Sequence, residues 1–162
     1  MTSQFELSKF RIEKARIRAT LALATGQVVH GCFFAASAST RGVGPERIGD
    51  VLNAEGGFFP FEVHEDGATR TVLYNRNQLV TVSLDDNEAV RDPGYDVAAP
   101  RLVELALTDG RRVAGTVRVY RPEGRNRLSD WTRQPEPFRY LEGDAGTLLV
   151  NMAHVIEVSE IA

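Results

Sequence analysis

Apolar and polar residues alternate along much of the chain. Ala15, Ile17, Ala19, Leu21 and Leu23 alternate with Arg16, Arg18, Thr20 and Ala22. A period of two puts one set of side chains on a buried face and the other mostly in water, so the spacing predicts a strand. Thr25-Gly26 signals a turn, and Val29, Gly31 and Phe33 open a second alternating run, so the segment predicts a hairpin. Val103, Leu105 and Leu107 repeat the first strand and Asp109-Gly110 repeats the turn. Val113, Gly115, Val117 and Val119 repeat the return strand, with Arg112, Thr116 and Arg118 on its other face. Gly31 and Gly115 predict a bend or a close backbone approach in a curved sheet.

The repetition extends along the whole chain. Ala22-Leu23-Ala24-Thr25-Gly26 matches Ala106-Leu107-Thr108-Asp109-Gly110, and Arg47-Ile48-Gly49-Asp50 matches Arg127-Leu128-Ser129-Asp130. Phe59-Pro60-Phe61 is aligned with Phe138-Arg139-Tyr140. Val72-Leu73-Tyr74-Asn75 follows with Leu148-Leu149-Val150-Asn151, then Val80-Thr81-Val82-Ser83 with Ile156-Glu157-Val158-Ser159. Collinear blocks with a period of roughly 80 residues indicate two copies of one module. Each copy is expected to close with a second hairpin: Thr71–Tyr74 with Leu79–Leu84, and Thr147–Val150 with His154–Ser159. The turns would be Asn75-Arg76-Asn77 and Asn151-Met152-Ala153, with Asn chosen for its tolerance of positive φ. The expected fold is all-β: two tandem five-stranded barrels related by pseudo-twofold symmetry. Residues 1–14 form an N-terminal extension, 15–84 the first module, 85–100 a linker and 101–162 the second module.

Composition narrows the function. The 162 residues are 43% hydrophobic and 25% charged, with a net charge of −3, which is ordinary globular composition. A weakly acidic whole does not favour nonspecific nucleic-acid binding. One cysteine, Cys32, permits no intrachain disulfide and fits a reducing compartment. The charged stretch 1–14 lacks a signal-peptide core, and no apolar run reaches the roughly 20 residues of a membrane span. A cytoplasmic protein is expected.

The loop between the hairpins holds the candidate chemistry. Its repeated core is Arg47, Asp50 and Asn53 in the first copy and Arg127 and Asp130 in the second. Arg and Asp three apart share one side of a helical turn and can pair. Two readings stand open: a turn closing one end of a barrel, or a rim that binds a partner. In the second copy Arg121, Arg125, Arg127 and Arg133 lie near Tyr120 and Trp131. Guanidinium groups with aromatic neighbours suit phosphate contact and base stacking, which makes these residues the candidate anion or RNA contacts. His30 and Cys32 share a strand face, but a closed metal site needs four ligands and no second cluster is evident, so no metal is expected. His64 and His154 stand alone. No nucleophile elbow, phosphate loop or dinucleotide fingerprint occurs, so neither an enzyme nor a cofactor is expected.

The stretch Leu73-Tyr74-Asn75-Arg76-Asn77-Gln78-Leu79-Val80-Thr81-Val82, with its curled strands, resembles the small barrel of the Sm-like family. Gly49-Asp50-Val51-Leu52-Asn53 looks like that family's Asp-to-Asn loop signature. The resemblance implies a base pocket at Asp50 and Asn53. The repeated loop also resembles small bacterial domains of unknown function. The leading expectation is a non-enzymatic module that binds protein partners or assembles with copies of itself. An RNA-binding pseudo-dimer is the alternative, and a small-ligand receptor in the cleft between modules is a third reading. The last would require polar groups from both copies to converge in a concave pocket.

Overall fold

The computed structural model describes residues 14–37, 44–54, 56–120 and 127–161. The first half contains β1 (Lys14–Leu23), β2 (Val28–Ala36), α1 (Ile48–Ala54), β3 (Phe58–Glu65), β4 (Ala68–Asn75) and β5 (Leu79–Leu84). The second half contains β6 (Ala99–Leu107), β7 (Arg112–Val119), α2 (Leu128–Thr132), β8 (Phe138–Gly143), β9 (Gly146–Asn151) and β10 (Val155–Glu160). The fold is mainly β, as the alternation predicts. The ten strands form one antiparallel sheet in the order β10-β6-β7-β8-β9-β5-β1-β2-β3-β4.

Pairing within the second half repeats that within the first. β1 pairs with β2 and β5, and β3 bridges β2 and β4. Likewise β6 pairs with β7 and β10, and β8 bridges β7 and β9. The halves meet where β5 pairs with β9. A twofold relation would add the reciprocal pair, β4 with β10. Those two strands are instead the opposite ends of the sheet, so the joint is head-to-tail rather than the expected pseudo-twofold.

The expected closing hairpins do not form. β4 pairs with β3, while β5 crosses to β1; in the same way β10 pairs with β6. The reason lies in the turns. Asn75 and Asn151 sit at φ −78° and −79°, not at positive φ. Each side-chain oxygen accepts from the N–H two residues on, Asn77 at 3.0 Å and Ala153 at 3.1 Å. These Asn-capped single helical turns redirect the chain instead of folding it back. The first half's second hairpin is β3–β4, turned by Asp66 and Gly67 at φ 50° and 76°, a pair suited to a two-residue hairpin turn.

Register also corrects the alignment of the third block. Phe58 lies opposite Asn75 and Phe138 opposite Asn151. Phe138 therefore corresponds to Phe58, not to Phe59, and Glu142 corresponds to Glu62. A one-residue slip exchanges the faces of a strand, and this one decides which aromatic residues point toward which core.

Both aligned glycines mark a close approach. A Cβ on Gly31 would stand 1.8 Å from the carbonyl oxygen of Glu62, and one on Gly115 would stand 2.7 Å from that of Glu142. Only glycine lets β3 and β8 cross so near their neighbours.

The core is divided into two clusters. The first gathers Leu21, Phe33, Ile48, Leu52, Phe59, Phe61, Leu79 and Val82 with Phe138 and Leu149 from the second half. The second gathers Val103, Leu105, Val117, Trp131, Leu141 and Val150 with Val80 from the first. A bulge in the β1–β5 pairing, where Ala22 lies opposite Thr81 but Leu23 lies opposite Leu79, lets Val80 enter the second cluster while Leu79 and Val82 enter the first. Segment 85–98 is packed rather than slack, with Glu88, Ala89 and Ala98 buried.

Candidate functional site

The candidate site begins at the joint, because the chain shows the same strands once joined and once free. In the joint, Val82 faces Leu149, Thr81 faces Val150, and Leu84 faces Thr147. Leu149 is 0% exposed and Phe138 is 4% exposed, both inserted into the first half's core. Their counterparts in the first half, Leu73 on the free strand β4 and Phe58 on its neighbour β3, are 63% and 62% exposed. At the other end of the sheet, β10 corresponds to β5. Ile156 on β10 is exposed, whereas its counterpart Val80 is fully buried. The sheet thus ends in two unlike edges, one carrying outward Leu73 on β4 with Phe58 beside it on β3, the other carrying exposed Ile156 on β10. Unpaired edges with exposed apolar side chains are templates for strand addition.

The repeated loop locks the joint. In α1, Asn53 donates from Nδ2 to the Phe138 carbonyl and accepts the Phe138 N–H at Oδ1, both at 2.9 Å. Its side chain thereby serves as a strand partner for β8. Beside it, Arg47 Nε and Nη2 each donate to Asp50 at 3.0 Å, as the spacing predicts. Arg47 also pairs with Asp92 and lies over the Tyr140 ring, 5.8 Å from its centroid. Tyr140 donates to Glu88 at 2.9 Å, and the same carboxylate accepts the N–H groups of Ile48 and Gly49 at 3.0 and 3.1 Å. Burial raises the pKa of Glu88, with the two backbone N–H groups opposing that shift. Burial, and then the Glu88 charge, hold the Tyr140 hydroxyl protonated well above its ordinary range. A second network surrounds Glu142, which accepts from Asn87, Tyr95 and Arg118 at 2.9, 2.5 and 3.0 Å. Despite the upward pull of burial, these bonds leave its pKa lowered.

A cleft of about 1060 Å³ opens between α1, β8, the 85–98 segment and α2, with Asp92 and Arg118 in its lining. Arg47, Asp50 and Asn53 reach it from the first half, and Arg139 and Tyr140 from the second.

The second copy of the motif behaves differently. No side-chain ion pair joins Arg127 to Asp130 among the described residues; Asp130 instead accepts the backbone N–H of Arg127 at 3.0 Å, capping a helix whose first N–H groups need acceptors. Trp131 does not offer a stacking face. It is 2% exposed, set in the second core cluster with the Arg139 guanidinium 5.0 Å from its ring centroid. Arg139 in turn bonds the carbonyls of Trp131, Gln134 and Glu136. Arg127 and Arg133 are exposed, whereas Arg121 and Arg125 lie outside the described residues. Asp50 and Asn53, the positions implied as a base pocket, are engaged by Arg47 and by the Phe138 backbone.

His154 is not alone: it bonds Thr108 at 2.8 Å and the Asn77 carbonyl at 2.7 Å, a further tie across the halves. Glu88 and the Phe58/Leu73 pair escape sequence reasoning. The outward phase of Phe58 and Leu73, against the inward phase of Phe59 and Phe61, is the signal that could have found that pair. Among the described residues, no helix is long and apolar enough to cross a membrane. Compared with known proteins, the chain matches no family model, no curated protein and no solved structure.

Proposed function

We propose that this chain is a non-enzymatic interaction module that assembles head to tail with copies of itself, β4 of one chain pairing with β10 of the next. The observation that carries the reading is the internal joint. β9 and β5 pair with Phe138 and Leu149 buried, while the corresponding strands β4 and β10 stand free, with Leu73 on β4 and Phe58 on the adjacent β3 exposed. Repeating the joint's register sets Leu73 opposite Val158 and Tyr74 opposite Glu157. A heterologous contact of this kind leaves one free edge at each end, so it propagates into a ring or an open filament. The Sm-like resemblance fits the same reading. One difference distinguishes the proposed contact from the internal joint: Arg133 stands where Asn53 stands in α1, and it can donate to the incoming strand but cannot accept its N–H.

Sedimentation velocity over a wide concentration range tests the reading. Species of two or more chains that grow with concentration are expected. A monomer persisting to several hundred micromolar would overturn it.

The cleft favours a second reading, a small-ligand receptor. Polar side chains of both halves converge on a space of about 1060 Å³, the size of a small-molecule site. Native mass spectrometry of the freshly purified chain decides this reading. A discrete added mass that disappears on denaturation supports it, and the bare chain mass counts against it.

A further inference from the structure

The sequence places one histidine and one cysteine two residues apart, at His30 and Cys32, and offers them no further ligands. Strand register supplies different ones. Cys32 on β2 lies directly opposite Glu62 on β3, and His64, two residues beyond Glu62, projects from the same face. The Cys32 thiol, a Glu62 carboxylate oxygen and a His64 imidazole nitrogen lie within 4.8 Å of one another. His64 Nε2 and Glu62 Oε1 are already in contact at 2.9 Å.

We propose that Cys32, Glu62 and His64 form a three-ligand site for zinc or a similar borderline divalent transition ion, with one coordination position left to water or a ligand. The donor set selects the ion class. A thiolate with an imidazole suits zinc or cobalt, while magnesium and calcium call for an all-oxygen shell. Ligand atoms around a tetrahedral zinc stand about 3.5 Å apart, given bonds of roughly 2.0–2.3 Å. The three groups therefore need to close by little more than 1 Å. The imidazole, on a side chain 43% exposed, is free to make that movement, whereas the Glu62 side chain is 13% exposed and held in place. Arg16 Nε contacts the second Glu62 oxygen at 3.3 Å, the kind of outer partner that fixes a ligating carboxylate.

Two cations face the site from β1. Arg16 is the one on Glu62, and Arg18 lies opposite Cys32 in the β1–β2 register. Thiolate and carboxylate together balance a divalent ion, so the loaded site is neutral beside these two cations. On binding, the sulfur–metal bond replaces the S–H bond and the proton leaves to solvent. The second half provides an internal comparison. Thr116 lies opposite Glu142 where Cys32 lies opposite Glu62, and Asp144 takes the place of His64. That position has neither thiol nor imidazole, and its carboxylate is committed to Asn87, Tyr95 and Arg118. Of these two corresponding positions, only the first-half one holds an ion.

Cobalt(II) titration of the whole chain, followed by absorption spectroscopy, tests the site. One equivalent of cobalt is expected to bind with a sulfur-to-cobalt charge-transfer band, and zinc should displace it. Cys32→Ser should abolish that band. His64→Ala, at an exposed side chain whose loss leaves the fold intact by circular dichroism, should weaken cobalt binding at least tenfold. Absence of the charge-transfer band at millimolar cobalt overturns the proposal. So does a His64→Ala chain that titrates like the parent, and this second arm decides even where Cys32→Ser fails to fold.

Discussion

Truncating Leu73 and truncating Leu149 should have opposite consequences, although the two occupy corresponding positions. Leu73 is 63% exposed in the single chain. Full burial of a leucine side chain contributes about 1.5–3 kcal/mol. Covering the part of Leu73 now in water should therefore contribute about 1–2 kcal/mol to each chain-to-chain contact. Leu73→Ala should weaken association roughly 5- to 30-fold, at about 1.4 kcal/mol per factor of ten. It should leave the melting temperature of the dilute chain almost unchanged, as surface substitutions do. Leu149 is fully buried in the first core. Leu149→Ala should cost about 2–5 kcal/mol of folding stability, which for a chain of this size lowers the melting temperature by roughly 4–20 °C. Sedimentation velocity reads the first effect and thermal unfolding monitored by circular dichroism reads the second. If Leu73→Ala associates as tightly as the parent, or melts as early as Leu149→Ala, the correspondence between free and joined edges is wrong.

Asn53→Ala removes both bonds to the Phe138 backbone. Leaving these partly buried groups unpaired should cost about 1–3 kcal/mol, readable by urea denaturation; an unchanged midpoint would show that the bonds add nothing to the joint. Gly31→Ala should destabilise more than Gly115→Ala, because the added carbon meets a carbonyl oxygen at 1.8 Å rather than 2.7 Å, and an equal loss in thermal melts would contradict that ranking. For Glu142, the folded pKa lies below the ordinary value of 4.5. Its stabilising contribution is therefore present above pH 4.5 and lost as pH falls through the lowered folded value. The melting-temperature gap between parent and Glu142→Gln should accordingly be widest near neutrality and shrink on acidification below 4.5, and a gap constant from neutral to acid pH would refute the assignment.

The strands were legible because alternation is a local signal. Lys14–Leu23 and Arg112–Val119 announce themselves by period alone. Pairing was less legible, since the same alternation suits any neighbour. Asn75 suggested a hairpin, and only its φ of −78° with the side chain capping Asn77 shows why the chain crosses instead. Asp66-Gly67 carried the stronger hairpin signal. In the loop motif, Arg47–Asp50 followed from helical spacing, whereas Arg127–Asp130 did not. Asp130 caps a backbone N–H there, and Arg127 lacks the further partner that Asp92 gives Arg47. Trp131 looked like a stacking platform because an aromatic residue among arginines reads the same whether it faces water or the core. The cation that covers it, Arg139, belongs to a different element. The Cys32–Glu62–His64 group was invisible because register, not spacing along the chain, brings it together.

The exchange of side chains across the joint bears on how the protein is made. During synthesis, β1 to β5 leave the ribosome long before β8 and β9 exist, yet the first core is finished only by Phe138 and Leu149. The nascent first half must hold an incomplete apolar surface and an unpaired β5 edge until more than half of the remaining chain has been translated. Two ribosomes working on one message bring such halves close together. A neighbouring chain's β9 then fits the same gap as the chain's own, giving a swapped dimer built from native contacts alone. The packed 85–98 segment, with Glu88 anchored to α1, favours the chain's own β9 by holding the second half beside the first, and so guards the fidelity of assembly before any partner is met.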